Sequence, residues 1–228
     1  MLALSFATVL EQAAAGERKH GSGNLRRLDD LLDPDNLAAL GLAQVFCFLA
    51  FHGRADQPIA DYVRAGTLPD DSGPDVLVLF TLDCPAPTPV SVGSGGWLDL
   101  ETGAHPAYQL VRGLFDGRKV PPLPGLVFFG DLLTEQKAVY VPLDGLADEA
   151  AVRARLRMLF LLAGAASQGD EKKTLDRLCV ALSRQRLPFH KTMRTSMREW
   201  LVRGFYLVQR HAGDLVRAVN LFGKAVRP

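Results

Sequence analysis

Basic side chains recur at helical spacing in the last quarter of the chain. They fall into two groups of three, which are Lys173, Arg177 and Arg184, and Lys191, Arg194 and Arg198. Since residues three and four apart share one face of a helix, we expect these groups to form basic helix faces. Clustered Lys and Arg bind nucleic-acid phosphates, or carboxylates on a partner protein. The chemistry that these residues indicate is recognition by charge.

The small net charge of the chain hides an uneven distribution. Residues 1–167 hold 13 Lys and Arg against 20 Asp and Glu, and residues 168–228 hold 13 against 5, so −7 and +8 give the overall +1. A basic end of this kind favours an anionic partner, or contact with the acidic body of the same chain. A solvated face with no dedicated partner is the third interpretation.

A second candidate site lies around His52 and Arg54. Both residues follow an uncharged aromatic run and precede Asp56, a residue type that caps helices. Because the first N–H groups of a helix attract anions, this loop is predicted to bind a small anionic ligand. The competing interpretation is a surface turn capped by Asp56.

The chain lacks the residue spacings that metal, phosphate and catalytic sites require. Its five histidines form no pair at ligand spacing, and Cys47, Cys84 and Cys179 form no CxxC. The Gly-Ser-Gly-Gly run of residues 93–96 is not followed directly by Gly-Lys-Ser or Gly-Lys-Thr, so a phosphate loop is not indicated. We therefore expect no metal, no cofactor and no catalytic residue.

The cysteine usage favours the cytoplasm, and the longest uncharged run is too short to span a membrane.

Hydrophobic periodicity and helix breakers predict the elements that position these residues. Uncharged, aromatic or β-branched runs predict strands, and apolar residues at spacings of three and four predict helices. The predicted strands are residues 45–51, 76–80, 126–129 and 138–143. The predicted helices are residues 3–15, a helix from Asp56, residues 106–116, a helix from Asp148, and three basic helices over 171–186, 190–208 and 215–222. A long loop is predicted over residues 84–96.

Residues 45–166 then run β-α-β, loop, α-β-β-α, with prolines just before the third strand. This order resembles the thioredoxin-like fold, which carries a cis-proline where Pro121, Pro122 or Pro124 stands in this chain. The resemblance implies an α/β domain over residues 45–167, with a helical lead-in (1–44) and a basic helical extension (168–228). Redox-active members carry a CxxC after the first strand, and here that stretch contains no cysteine. The resemblance therefore implies a redox-inactive member.

A narrower resemblance concerns Val120 and Pro121. The run Lys119-Val120-Pro121, followed by residues 130–135, is similar to the glutathione-contacting stretch of glutathione transferases. In that family the Val-Pro backbone pairs with the tripeptide and an acidic residue meets its amino group. The resemblance implies an enzyme that binds a thiol tripeptide near Val120 and Pro121. Two departures are the short helical part and the predicted strand at residues 138–143.

Two functions from different classes follow from these patterns. The first is a non-catalytic adaptor or structural subunit of a larger assembly, whose basic C-terminal helices contact a partner protein or a nucleic acid. The alternative is the glutathione-transferase-like enzyme. Retention on glutathione resin favours the enzyme, whereas co-purification with a complex or with nucleic acid favours the adaptor.

Overall fold

The computed structural model describes residues 3–5, 45–52, 55–80, 106–115, 120–131, 134–170 and 173–200. We number the elements in chain order. The strands are β1 (Ala3–Ser5), β2 (Val45–Ala50), β3 (Val76–Phe80), β4 (Gly125–Phe129), β5 (Gln136–Pro142) and β6 (His190–Thr195). The helices are α1 (Gln57–Arg64), α2 (Leu68–Ser72), α3 (Pro106–Arg112), α4 (Glu149–Ser167) and α5 (Thr174–Arg184).

All six strands belong to one open mixed sheet with the order β1-β3-β2-β4-β5-β6. Strand β3 is parallel to both β1 and β2, and the pairs β2–β4, β4–β5 and β5–β6 are antiparallel. The predicted α/β class is confirmed. The four strands predicted at residues 45–51, 76–80, 126–129 and 138–143 are also confirmed, because their uncharged runs fill the buried centre of the sheet.

One face of the sheet is covered by α1, α4 and α5. Alternate residues of β2, namely Val45, Cys47 and Leu49, and Phe51 directly after the strand, join the apolar sides of these helices in one buried cluster. Helix α5 contributes Leu175, Leu178, Cys179 and Leu182, which lie at the spacing that predicts an amphipathic helix. The helix predicted over residues 171–186 is therefore confirmed, and it packs on the sheet rather than standing apart from it.

The opposite face is covered by α3 and by the helical turn of residues 197–200. Trp200 anchors this turn: its indole N–H donates to the Leu110 carbonyl at 2.9 Å, and its ring meets Phe48 edge-on at 4.8 Å between centroids. The ring also lies 5.3 Å from that of Phe129. Aromatic pairs at these separations stabilise a core beyond simple burial, so the second face has its own apolar layer.

Helix α4 begins at a side-chain cap. Asp148 is extended, and its Oδ1 accepts from the Ala151 N–H at 2.8 Å, which satisfies one of the unpaired donors of the first turn. We expect Asp148→Ala to lower the free energy of unfolding by about 1 kcal/mol, since this is the usual cost of losing such a cap. Urea denaturation measures the loss, and Asp148→Ser, which keeps an acceptor, should restore most of it. Equal losses in both variants would contradict the capping role.

Two predicted helices are wrong in the described residues. Residues Ala3–Ser5, placed in a helix over 3–15, form strand β1 beside β3; residues 6–15 lie outside the described residues. The helix predicted over residues 190–208 is wrong at residues 190–195, which form strand β6. Residues 197–200 form a helical turn, and residues 201–208 and the helix predicted over 215–222 lie outside the described residues. Strand β6 extends the sheet beyond β5.

Strand β6 contains an irregularity that disguises it in the sequence. Arg194 is opposite Lys137 and Lys191 is opposite Val139, so two β6 residues, Thr192 and Met193, face the single residue Ala138. This is the arrangement of a β-bulge. The buried residues of β6 are therefore Thr192 and Thr195, three positions apart as in a helix. Met193, which would share one face with Met197 and Trp200 if residues 190–208 were helical, is 45% exposed.

Candidate functional site

The bulge in β6 places Lys191 and Arg194 on the same side of the sheet. Their cross-strand neighbours Val139 and Lys137 are two residues apart on β5 and hence share one face. Val139 belongs to the core under α5, so the two cations point toward the α5 side. Both residues are exposed. The sequence grouped Lys191 and Arg194 through a helix, and the structure groups them through a bulged strand.

Lys137 is a third cation of this cluster, and the sequence analysis did not identify it. It is exposed and directly opposite Arg194 in the β5–β6 ladder. Like charges that face each other across two strands repel and weaken the sheet. We call Lys137, Lys191 and Arg194 the ladder cluster. The sequence places Lys137 in the polar turn just before the predicted strand of residues 138–143, and only the register of β5 and β6 brings it to Arg194.

Local acceptors orient two members of the ladder cluster. The Lys191 ammonium lies 3.5 Å from Oδ1 of Asp176 on α5, an exposed pair. The Arg194 guanidinium donates to the Glu135 carbonyl oxygen at 3.0 Å. Because exposed ion pairs contribute little stability, the Asp176 contact positions Lys191 more than it stabilises the fold. It also demonstrates that a carboxylate fits beside this cation.

The remaining basic candidates have other positions. Arg177 is turned onto the end of α4, where its guanidinium donates to the carbonyls of Ala166 at 2.6 Å and Asp170 at 2.9 Å. Lys173 is exposed and lies 3.9 Å from the Asp170 carboxylate. Arg184 is exposed in the last turn of α5, where a cation is favourable to the helix dipole. Arg198 is partly buried in the turn of residues 197–200. The six residues therefore do not form the two predicted basic helix faces.

The second candidate site, at the end of β2, is a hydrogen-bonded turn. The His52 N–H donates to Asp56 Oδ2 at 2.6 Å, and His52 Nδ1 accepts from the Ala55 N–H at 3.2 Å. The Tyr108 hydroxyl donates to the same Asp56 oxygen. Asp56 stands at the N-cap position of α1 but makes no side-chain cap, so the predicted capping bond is wrong. Arg54, the other predicted ligand residue, lies outside the described residues.

Two tyrosines line this end of the sheet. Burial, followed by the hydrogen bond to Asp56, raises the pKa of Tyr108 well above its usual value. Burial, followed by the charges of Tyr108, Asp144 and Asp56, does the same for Tyr140, whose hydroxyl donates to the Pro122 carbonyl at 2.6 Å. Both phenols therefore keep their protons at neutral pH. They serve as hydrogen-bond donors and not as bases.

Val120 and Pro121 precede β4, in the segment that the glutathione-transferase resemblance singles out. Val120 is partly buried and Pro121 is buried. The Leu123–Pro124 peptide bond is cis, so Pro124 is the one of the three prolines that has this conformation in the described residues. Asp131, in the stretch where the resemblance expects an acidic contact, accepts from the Thr134 hydroxyl at 2.5 Å. Residues Gln136–Pro142 form a strand, as the sequence predicted.

The thiols of the described residues are set into the core. Cys47 is fully buried, its Sγ donates to the Leu77 carbonyl at 3.5 Å, and burial raises the pKa of the thiol well above its usual value. Burial likewise raises the pKa of Cys179. A nucleophilic cysteine needs an accessible thiolate, and neither position provides one. Cys84 and the loop predicted over residues 84–96 lie outside the described residues. Within the part of the chain that is described, no cluster of three His, Cys, Asp or Glu could hold a metal.

The two sites differ in what they can do chemically. The ladder cluster presents three cations from neighbouring strands to solvent and can bind a surface that carries carboxylates or phosphates. In the turn at His52, the polar groups form hydrogen bonds with one another.

No protein-family model, curated protein or solved structure matches this chain. Among the described helices, none has the length and apolar character to cross a membrane.

Proposed function

We propose that this protein is a non-catalytic adaptor or structural subunit that binds an acidic surface of a partner protein through the ladder cluster. The observation that carries the proposal is the direct cross-strand pairing of Lys137 with Arg194, with Lys191 on the same face. Two like charges in this position oppose sheet formation. Arrangements that weaken a fold locally are typical of functional sites, and an anionic partner would relieve the repulsion.

The proposal includes a thioredoxin-like scaffold without redox activity. Support comes from the parallel β1–β3–β2 half of the sheet, the antiparallel β2–β4–β5 half, and α3 lying on the face opposite α1 and α4. The buried Cys47 and Cys179 support the redox-inactive form. A scaffold alone does not establish a function, which depends on the ladder cluster.

An acidic protein suits the ladder cluster better than a nucleic acid does. The carboxylate of Asp176 already lies beside Lys191, so the spacing accommodates a carboxylate group. Met193, between Lys191 and Arg194, is 45% exposed and offers an adaptable apolar contact of the kind found at protein interfaces. A protein surface that binds nucleic acid instead places many separate cations along the phosphate backbone.

Reversing the charge of Lys137 tests two effects of the ladder cluster separately: its cost to the stability of the sheet and its binding of a partner. We expect Lys137→Glu to raise the free energy of unfolding by about 0.5 kcal/mol, because repulsion with Arg194 becomes attraction. The same change should reduce capture of the partner several-fold, since it places a carboxylate in the binding face. Urea denaturation measures the first effect. Affinity purification of the full chain from its native host at low salt, with quantified partner recovery, measures the second.

Arg184→Glu is the matched control, since it makes the same charge change on an exposed residue of α5. Partner recovery should be retained in this variant and should fall with rising salt for the wild type. Equal loss in both variants, or no loss in Lys137→Glu, would contradict the proposal. Capture that nuclease treatment abolishes would make the partner a nucleic acid and not a protein. The glutathione-transferase-like alternative stays a prediction, which retention on glutathione resin with conjugating activity would favour.

A further inference from the structure

Lys191 differs from the other two members of the ladder cluster in what it contacts. Its ammonium lies 3.5 Å from Oδ1 of Asp176. The Arg194 guanidinium contacts instead the neutral carbonyl oxygen of Glu135. Within the described residues, neither Lys137 nor Arg194 lies within ion-pair distance of a carboxylate. The positive charge of the cluster is therefore partly neutralised at Lys191 and is left without a counter-charge at Lys137 and Arg194.

Asp176 stands at the side of α5 that borders β6. It lies in the first turn of the helix, three residues before Cys179, so the two residues share one side of α5. Cys179 belongs to the buried core, and the charges of both Asp176 and Lys191 act on its thiol. The Asp176 side chain is 77% exposed and that of Lys191 is 48% exposed. The ion pair therefore faces solvent, where a carboxylate of another molecule can approach Lys191.

We infer that Asp176 is an internal competitor of the acidic partner, and that it restricts the docking point to Lys137 and Arg194. The inference rests on the proposed function, because it concerns the same cluster. A partner carboxylate must displace that of Asp176 to reach Lys191, since two carboxylates beside one ammonium repel each other. Directly opposite residues of two strands are about 5 Å apart, so a single carboxylate can bridge Lys137 and Arg194. The partner that fits is one whose carboxylates lie over this pair.

Removing the internal carboxylate should strengthen the binding of an acidic probe. The probe is a dye-labelled oligoglutamate peptide, and fluorescence anisotropy at low salt gives its dissociation constant with the full chain. We expect Asp176→Asn to lower this constant about threefold, a modest change because exposed ion pairs are weak. Asp61→Asn is the matched control, since it makes the same charge change in another exposed ion pair, with Arg64 on α1. The control should leave the dissociation constant nearly unchanged.

A double-mutant cycle separates competition at Lys191 from the favourable effect of Asp176 on the helix dipole. In the wild type Asp176 occupies Lys191, so the probe depends on this cation less than it does once Asp176 is replaced. We therefore expect Lys191→Gln to weaken binding about threefold more in the Asp176→Asn background than in the wild type. Lys137→Gln should weaken binding by the same factor in both backgrounds, because the contact of Asp176 is with Lys191. Circular dichroism establishes that every variant is folded.

The outcomes distinguish this inference from the proposed function. Tighter binding by Asp176→Asn, with a larger loss from Lys191→Gln in that background, supports the inference. Equal losses in both backgrounds, no gain with Asp176→Asn, or an equal gain with Asp61→Asn would overturn it, and a loss of binding in Lys137→Gln would still support the proposed function. Both would be overturned if the wild type and Asp176→Asn failed to bind the probe, or if Lys137→Gln bound it as tightly as the wild type.

Discussion

Replacing Gly125 with Ala is expected to destabilise the protein by about 3 kcal/mol, the upper part of the usual range for overpacking a core. Gly125 begins β4 and is buried between Ala50 of β2 and Pro142 of β5. A Cβ atom at this position would overlap the phenol ring and hydroxyl of Tyr140. Tyr140 is fully buried, and its hydroxyl is bonded to the Pro122 carbonyl. The ring therefore cannot move aside without losing that bond.

A double-mutant cycle with Tyr140→Val identifies the cause of this loss. Shortening residue 140 leaves room beside Gly125, so we expect Gly125→Ala to cost much less in the Tyr140→Val background than in the wild type. Urea denaturation of the four proteins gives the coupling between the two sites. An equal cost in both backgrounds would show that the loss comes from the strand backbone and not from the ring of Tyr140.

The buried strands were predictable because their signal is local. Residues Val45–Ala50 and Val76–Phe80 are uncharged and rich in aromatic or β-branched side chains; Gly53 follows the first run closely and Asp75 directly precedes the second. The start of α4 was predictable for the same reason, since Asp148 and Glu149 at the beginning of an apolar helical pattern carry their own signal. In each case the residues that decide the structure lie within a few positions of one another.

Strand β6 was not predictable, because its conformation depends on a distant partner. The β-bulge opposite Ala138 shifts the alternation by one residue, and it spaces Thr192 and Thr195 as in a helix. Met193, Met197 and Trp200 also recur at helical spacing, although only Met197 and Trp200 are buried. Pairing with β5 therefore overrides the local pattern. The ladder cluster has the same origin: Lys137 meets Arg194, more than fifty residues away in the chain, only through the register of these strands.

A buried carboxylate joins three helices at one end of the core. The Asp71 side chain on α2 is 4% exposed and accepts from Arg153 Nε at 2.9 Å and from the Tyr62 hydroxyl at 3.1 Å. A second nitrogen of Arg153 donates to the other carboxylate oxygen at 3.2 Å, so the pair is bidentate. Arg157 lies 3.5 Å from that oxygen. The turn-rich sequence around Asp70 and Asp71 predicts solvated carboxylates, and this prediction is wrong for Asp71, because its partners lie on α1 and α4.

We expect Asp71→Asn to lower the free energy of unfolding by about 2 kcal/mol at neutral pH, since a buried charged acceptor with several donors is lost. Burial alone would raise the pKa of the Asp71 carboxyl, but the hydrogen bonds from Arg153 and Tyr62, with the charges of Arg153 and Arg157, outweigh it and lower the pKa. The contribution is therefore complete above the unfolded-state pKa of about 4 and disappears as the pH falls below it.

Urea denaturation of the wild type and of Asp71→Asn between pH 7 and pH 2.5 measures this dependence. The difference in unfolding free energy between the two proteins should be constant at neutral pH and should shrink below about pH 4, where the wild-type carboxylate takes up a proton. Asp70→Asn, which alters the exposed neighbouring residue of α2, should differ little from the wild type at any pH. A difference that persists undiminished at pH 2.5 would show that packing, and not the charge of Asp71, holds α2 against α4.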